Sequence, residues 1–228
     1  MSTRVIAIDG PAASGKSSTA RAVAEQLGFA HLDSGALYRG VTLVALRHAA
    51  PDALLEPVRI LREAEARGLQ LQFDGRGYAV YLGGVSADEA IRSPEVTARV
   101  SAVAAVPEIR EWVTERLRRL ARAGQSVVVD GRDIGTVVFP EADLKIFLTA
   151  SPRTRAGRRL TQRGQVVEPT LLDRETASLA ARDQADSARE AAPLRQAADA
   201  VPLDGTDLTF EEQVACISAL ARQRLALG

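Results

Sequence analysis

Gly10-Pro11-Ala12-Ala13-Ser14-Gly15-Lys16-Ser17 decides the reading of this chain. It has the form Gly, four residues, Gly-Lys-Ser, a glycine loop whose backbone N–H groups turn inward around a phosphate. The apolar run Val5-Ile6-Ala7-Ile8 before it reads as a buried strand. After it, Ala20, Val23, Ala24 and Leu27 recur at helical spacing from Lys16 onward. A strand, a glycine loop and a helix N-terminus together make an anion site. The first-turn N–H groups lack intrahelical partners, and the helix dipole favours negative charge there. Lys16 is one of only two lysines in the chain, placed to reach the β/γ-phosphates. The hydroxyl of Ser17 stands where Mg²⁺ takes an oxygen ligand. The loop implies a nucleoside triphosphate.

Working outward, 228 residues suffice for one α/β core with small insertions. With 46% hydrophobic and 25% charged residues the composition is that of an ordinary globular domain. A formal net charge of zero argues against a nucleic-acid or membrane partner. No apolar run approaches the ~20 residues needed to cross a bilayer. The first strand starts at Val5, leaving no room for a signal peptide. A single cysteine, Cys216, excludes a disulfide framework and is read as a small buried hydrophobe. A cytoplasmic enzyme is expected.

Ala30 to Asp33 reads as a second strand, followed by Ser34-Gly35-Ala36-Leu37-Tyr38-Arg39 and a helix. That turn either forms part of a second substrate site or is a helix start with Ser34 as its N-cap. Helical spacing runs from Leu54 to Arg67. Leu69 to Phe73 and Tyr78 to Leu82 then alternate about an Asp74-Gly75-Arg76-Gly77 turn, which predicts an antiparallel hairpin. A hairpin is foreign to a parallel sheet, so it marks an inserted subdomain over about residues 65–92, with Ser86 to Glu89 starting the helix that leaves it. Val96 to Arg122 is helical with a break at Pro107.

Ser126-Val127-Val128-Val129-Asp130 looks like a buried parallel strand ending in a carboxylate. Ligands bind at such strand ends, and Asp130 is placed to orient or touch Mg²⁺. Arg132 and Asp133 follow at the same edge. Leu144 to Leu148 is the next strand, and Ser151-Pro152 caps a helix. Between Arg153 and Gly164 stand Arg153, Arg155, Arg158, Arg159 and Arg163 with no acid among them. Like charges on one short helix repel, so a polyphosphate explains them better than stability does. A helix over Leu179 to Leu194 puts Arg182, Asp186 and Arg189 on one face. Ala200 to Asp204 reads as an edge strand because of Pro202, and Thr209 to Glu212 as a capping box.

Together these motifs resemble the bacterial cytidylate kinases, a family of nucleoside monophosphate kinases. The likeness is carried by Ile8-Asp9-Gly10-Pro11, by Leu32-Asp33-Ser34-Gly35-Ala36-Leu37-Tyr38-Arg39, by Asp130 through Pro140, and by Ala181-Arg182-Asp183 with Asp186 and Arg189. It spans about Arg4 to Leu227. The resemblance implies a P-loop NTPase three-layer α/β fold. A five-stranded parallel sheet, a monophosphate-binding insert and a helical lid over about residues 151–168 belong to it, all within a single kinase domain of residues 1–228. It implies phosphoryl transfer from ATP to CMP or dCMP with Mg²⁺, by a monomer. It further implies that Ser34, Arg110, Asp133 and Arg189 read cytosine, that Ser101, Arg182 and Asp186 hold the sugar, and that Arg39 and Arg132 hold the acceptor phosphate with Tyr38 beside it. Gly10, Pro11, Ala12, Ala13, Ser14, Gly15, Lys16, Ser17 and Ser18 would wrap the ATP phosphates, and Lys16, Asp130, Arg132, Arg153 and Arg158 would act in catalysis. Many relatives carry Gly where this chain has Ser17, which leaves the Mg²⁺ ligand beside Asp130 open between Ser17 and Ser18. The alternative acceptors are UMP or another small phosphoryl acceptor. A GTP-driven switch needs an Asn-Lys-x-Asp motif, and the chain has no asparagine.

Overall fold

Eight strands form one sheet in the order β3-β4-β2-β6-β1-β7-β8, with β5 paired to β4. The computed structural model describes residues 3–48 and 56–226. In chain order the elements are β1 (Val5–Asp9), α1 (Lys16–Leu27), β2 (Ala30–Asp33), α2 (Ser34–His48), α3 (Pro57–Ala66), β3 (Gln70–Phe73), β4 (Gly77–Leu82) and β5 (Val85–Ser86). They continue with α4 (Pro94–Val103), α5 (Pro107–Ala121), β6 (Val127–Gly131), β7 (Leu144–Thr149), α6 (Pro152–Gln162), α7 (Pro169–Ser187), β8 (Val201–Asp204) and α8 (Phe210–Leu225).

The strands β2, β6, β1, β7 and β8 run parallel, giving the five-stranded parallel core. Its central strands are apolar throughout because both faces are covered. Ala7, Val127 and Val129 face a core built with α2, α4 and α5, while Ile6, Ile8 and Val128 face α1 and α8. The chain moves from β1 to β2 on one side and from β6 to β7 across β1 on the other. The order therefore switches at β1, and a crevice opens at the carboxyl ends of these strands. Register does the rest. Asp33 and Asp130 lie opposite each other, as do Asp9 and Gly131, so β1, β2 and β6 all end in the same layer. Gly10 leaves that layer with φ 152°, and a Cβ there would collide with the Leu148 carbonyl.

Several expectations are corrected. The hairpin does not stand apart, because β4 pairs in parallel with β2 through His31↔Gly77 and Leu32↔Tyr78 and so extends the sheet. Gly77 permits this approach, since a Cβ there would lie 2.8 Å from the His31 carbonyl oxygen. Ser86 to Glu89 starts no long helix. A single 3-10 turn at Ala90–Arg92 follows, and α4 begins only after Ser93, whose side chain accepts from Val96 N–H. Asp33, not Ser34, caps α2 by accepting from the Ala36 N–H at 3.0 Å. The helix expected over 179–194 begins at Pro169 and ends at Ser187, so Arg189 lies beyond it. Cys216 is exposed on α8. Leu54 and Leu55, included in the expected third helix, lie outside the described residues. β8 does form an edge of the sheet, and Thr209 with Glu212 makes the capping box of α8.

Candidate active site

One cavity of about 680 Å³ occupies the crevice. At one end it is lined by Ala12, Ala13, Gly15, Lys16, Ser17 and Ser18, and at the other by Ser34, Tyr38, Ser101, Arg110, Asp133 and Arg189. Between them stand Arg39, Arg132, Arg182 and Asp130.

The loop between β1 and α1 is wound by positive φ at Gly10, Ala13 and Gly15, an alternation that turns successive N–H groups to one side. The ammonium of Lys16 folds back over the loop, donating to the Pro11 carbonyl at 2.6 Å and to Ser14 Oγ at 3.4 Å. Burial, then the nearby charge of Arg132, push its pKa down to about 7, although Asp130 and Asp9 pull the other way. The loop thus carries a partly discharged lysine with no carboxylate partner in direct contact, poised for an anion. Gly10, Pro11 and Ser14 belong to the loop without lining the cavity.

Asp130, at the end of β6, is held at both oxygens. Ser17 Oγ donates to Oδ2 at 2.5 Å, and His31 Nε2 lies 2.8 Å from Oδ1. Burial alone would raise this carboxyl. The His31 hydrogen bond and charge, with Ser17 and Lys16, outweigh it and hold the pKa below the usual value. Asp33 opposite is raised, by burial first and then by the charge of Asp130. A hydroxyl and a carboxylate in contact at the phosphate end are the hard oxygen donors that suit Mg²⁺. No group of three or more His, Cys, Asp or Glu side chains able to hold a metal occurs among the described residues. The oxygen donors in contact at this end are thus one serine hydroxyl and one aspartate carboxylate.

The far end is a polar pocket made from buried groups. Arg110 and Asp133 pair at 2.5 Å with side chains only 7% and 5% exposed. Arg110 also donates to the Ala104 carbonyl at 2.8 Å, and its guanidinium sits 5.4 Å from the centre of the Tyr38 ring. Burial raises the Tyr38 phenol, so it stays protonated. Ser34 Oγ donates to the Asp130 carbonyl at 2.7 Å, leaving its lone pairs for the cavity. Arg132 Nε donates to Asp186 at 3.0 Å, and Arg189 closes on the same residue through its carbonyl at 3.1 Å. So Arg189 reaches the site by a turn after α7, although it is not on the helix.

In the middle the charge is cationic. Arg182 makes no ion pair among the described residues, and its buried Nε has no hydrogen-bond partner. Burial and then Arg132, with Arg39 and Arg159 further off, push its pKa down to about 10. Arg39 donates to Thr97 Oγ1 at 2.9 Å and to the Ile91 carbonyl at 3.2 Å. Arg39, Arg132 and Arg182 thus bring three guanidinium groups to one cavity, an arrangement able to bind an anion.

The basic helix α6 differs from its sequence reading. Acids of α7 absorb much of its charge, with Arg153 on Asp173 at 2.7 Å, Arg155 on Asp183 at 2.5 Å, and Arg159 and Arg163 on Glu175 at 3.1 and 3.3 Å. Repulsion within α6 is thus relieved by its neighbour. Arg153 has a side chain 61% exposed and is not among the residues that line the cavity. Arg158 and Arg159 do line the cavity. Arg158 is fixed by donating to the carbonyls of Gly205 at 2.5 Å and Leu208 at 3.1 Å.

Some lining or supporting residues carry no signal in the sequence. Arg92 enters from the 3-10 turn, and Gln213 and Phe210 enter from the start of α8. His31 sits mid-strand like any core residue. Asp9 accepts from the N–H groups of Ile134 and Gly135 at 2.8 and 2.7 Å, tying the loop after β6 to the end of β1. Asp9 belongs to the Ile8-Asp9-Gly10-Pro11 stretch that carries the resemblance, but nothing local gives it this partner.

Comparison with known proteins places the chain beside one family. A family model described as cytidylate kinase matches residues 6–223. The cytidylate kinase of Streptomyces avermitilis is 43% identical over 224 residues, covering 97% of this chain and 94% of that protein. That of Lactococcus lactis is 44% identical over 218 residues, covering 96% and 97%. A bifunctional pantoate ligase/cytidylate kinase of Synechococcus is 44% identical over 223 residues, covering 96% of this chain and 43% of that longer protein.

Proposed function

The chain belongs to the cytidylate kinase family, and we propose that it transfers the γ-phosphoryl group of ATP to CMP or dCMP, giving ADP and CDP or dCDP. The observation that carries this reading is one cavity with a phosphate loop at one end, a buried hydrogen-bonding pocket at the other and three arginines between, of which Arg39 and Arg182 make no ion pair among the described residues while Arg132 pairs with Asp186. Such a cavity fits a nucleotide at each end with their phosphates meeting in the middle.

Phosphoryl transfer needs positioning and charge more than a nucleophile from the protein. The acceptor phosphate oxygen is already anionic, so no general base is required. Lys16 and the N–H groups of residues 13–18 take the ATP phosphates, the Ala12 N–H being held by Asp183. Arg39 and Arg132 hold the acceptor phosphate, and Arg182 stands where negative charge accumulates between the two. At 4 Å and an effective dielectric near 20 each such charge pair interacts by roughly 4 kcal/mol before desolvation. Arg158 and Arg159, which line the cavity, complete the cationic wall on the α6 side. Ser17 with Asp130 would hold Mg²⁺, which supplies neutralisation of the phosphate charge when bound. Ser18 is the less supported ligand, because Ser17 is the one whose hydroxyl hydrogen-bonds Asp130.

Specificity rests on the far pocket. Asp133 can accept from a ring amino group but repels a ring carbonyl, and Arg110 and Arg189 donate. Ser101, Asp186 and the flank of Arg182 face the sugar. The antiparallel hairpin, within about residues 65–92, acts with α4 as the monophosphate-binding region, and about residues 151–168 act as the lid that excludes water during transfer. The reading extends to a cytoplasmic monomer without nucleic-acid or membrane partners. Among the described residues no helix is long and apolar enough to cross a membrane. Incubation with ATP, Mg²⁺ and CMP, followed by nucleotide chromatography, tests the proposal. Equal amounts of ADP and CDP are expected, and ADP without CDP would refute it.

A further inference from the structure

The glycine loop is bolted to the lid and acceptor helices at one residue, and no nucleotide role accounts for the bolt. The Ala12 N–H donates to Asp183 Oδ1 at 2.8 Å. The Ala12 carbonyl accepts from Arg155 at 2.8 Å, and the same guanidinium meets Asp183 Oδ2 at 2.5 Å. Arg155 Nε closes the arrangement on the Ala150 carbonyl at 3.0 Å. Both polar groups of one peptide residue are thus clamped between a cation on α6 and an anion on α7. The side chains of Arg155 and Asp183 are 6% and 16% exposed. Beneath them Ala12 packs with Ala156 and Leu179 in a small apolar cluster of its own.

Position makes this more than a structural pair. Ala12 precedes Ala13, whose φ of 59° begins the turn of the loop toward Lys16. Asp183 is flanked on α7 by Arg182 and, three residues on, Asp186, which face the cavity from the acceptor side. Asp183 itself is turned the other way, onto the loop. One carboxylate therefore fixes the distance between the donor-phosphate loop and the helix that holds the acceptor. Because Ala12 N–H is occupied by Asp183, that amide is withheld from phosphate and spent on alignment.

We propose that Asp183 and Arg155 are positioning residues that hold the glycine loop in register with α7, so that the donor and acceptor phosphates meet in line. The inference rests on the proposed two-nucleotide reaction. In-line transfer is sensitive to placement, and a misplacement of ~1 Å costs on the order of 10²-fold in rate. Binding at either end alone is less sensitive, because each nucleotide keeps its own contacts.

The test is steady-state kinetics with ATP and CMP on wild type, Asp183→Ala, Asp183→Asn and Ile217→Ala, with ADP and CDP counted separately. Ile217 is a buried core residue of α8 and serves as a control for lost stability. Asp183→Ala is expected to lower kcat by ~10²-fold while both KM values stay within about threefold, and to raise the ratio of ADP to CDP above one. Asp183→Asn keeps an oxygen for the Ala12 N–H and is expected to recover part of kcat. It also serves if the alanine variant folds poorly. Ile217→Ala is expected to lose thermal stability with kcat and the product ratio unchanged. If both Asp183 variants keep the wild-type kcat and product ratio and lose only melting temperature, the pair is structural and the inference is overturned. A wild type that makes no CDP would instead overturn the reaction on which it rests.

Discussion

Lys16 should take up a proton when nucleotide binds. In the protein without nucleotide its pKa is about 7, against 10.5 for a free lysine, because burial outweighs the carboxylates nearby. That difference corresponds to about 5 kcal/mol of charging cost. At pH 8 only about one in ten Lys16 side chains is therefore charged in the free protein. Nucleotide phosphates placed in the loop favour the ammonium, so binding at pH 8 draws ~0.9 proton from the buffer, and binding at pH 6 draws almost none. The sign carries over to stability. A lysine whose folded pKa is depressed binds fewer protons folded than unfolded between pH 7 and 10.5, so the protein without nucleotide gains stability as pH rises through that window. Nucleotide affinity runs the other way and weakens above pH 7. Titration calorimetry with a non-hydrolysable ATP analogue, in buffers of different ionisation enthalpy, measures the uptake directly. Lys16→Met should abolish it. Heats at pH 8 that do not depend on the buffer, or an unchanged uptake in Lys16→Met, would show that burial does not discharge this lysine.

Other perturbations separate the parts of the site. Arg158→Glu should lower kcat by at least ~10-fold and raise ATP hydrolysis relative to transfer, whereas Arg153→Glu, on an exposed pair, should stay within about twofold; equal effects in steady-state assays would restore Arg153 to the site. Asp133→Ala should shrink the preference for CMP over UMP by ~10-fold or more, mainly by losing CMP, and should lower the melting temperature because Arg110 is left buried without its partner. His31→Leu should raise the Mg²⁺ concentration for half-maximal rate by ~10-fold and leave the CMP KM unchanged, since His31 touches Asp130 and not the far pocket; a shifted CMP KM would contradict that division.

The parts of this molecule that lie consecutively in the chain were readable from it. The glycine loop is eight adjacent residues whose local backbone needs are written in Gly10, Gly15 and Lys16, and the strand ending in Asp130 is an unbroken apolar run. The five-stranded parallel core follows from such segments. What could not be read depends on register and on partners far along the chain. His31 becomes the neighbour of Asp130 only because β2 and β6 pair with Asp33 opposite Asp130. The arginines of α6 look unpaired when counted locally, yet Asp173, Glu175 and Asp183 on α7 neutralise several of them. The hairpin alternates as expected. Its docking on β2 depends on the missing side chain of Gly77, which no periodicity reports. Cys216 shows the same limit, since an apolar pattern does not say which face of α8 a small residue takes.

In the proposed reaction the buried Arg110–Asp133 pair selects cytosine for phosphorylation by ATP at the glycine loop. This selection is tested most directly by an ADP-release assay on the wild-type protein with ATP, Mg²⁺ and each of CMP, dCMP, UMP, AMP and GMP, against a control without acceptor. The account predicts turnover of CMP and dCMP with kcat/KM greater than that for UMP by a factor approaching ~10⁴, and little ADP without acceptor. Comparable kcat/KM for UMP and CMP would contradict it.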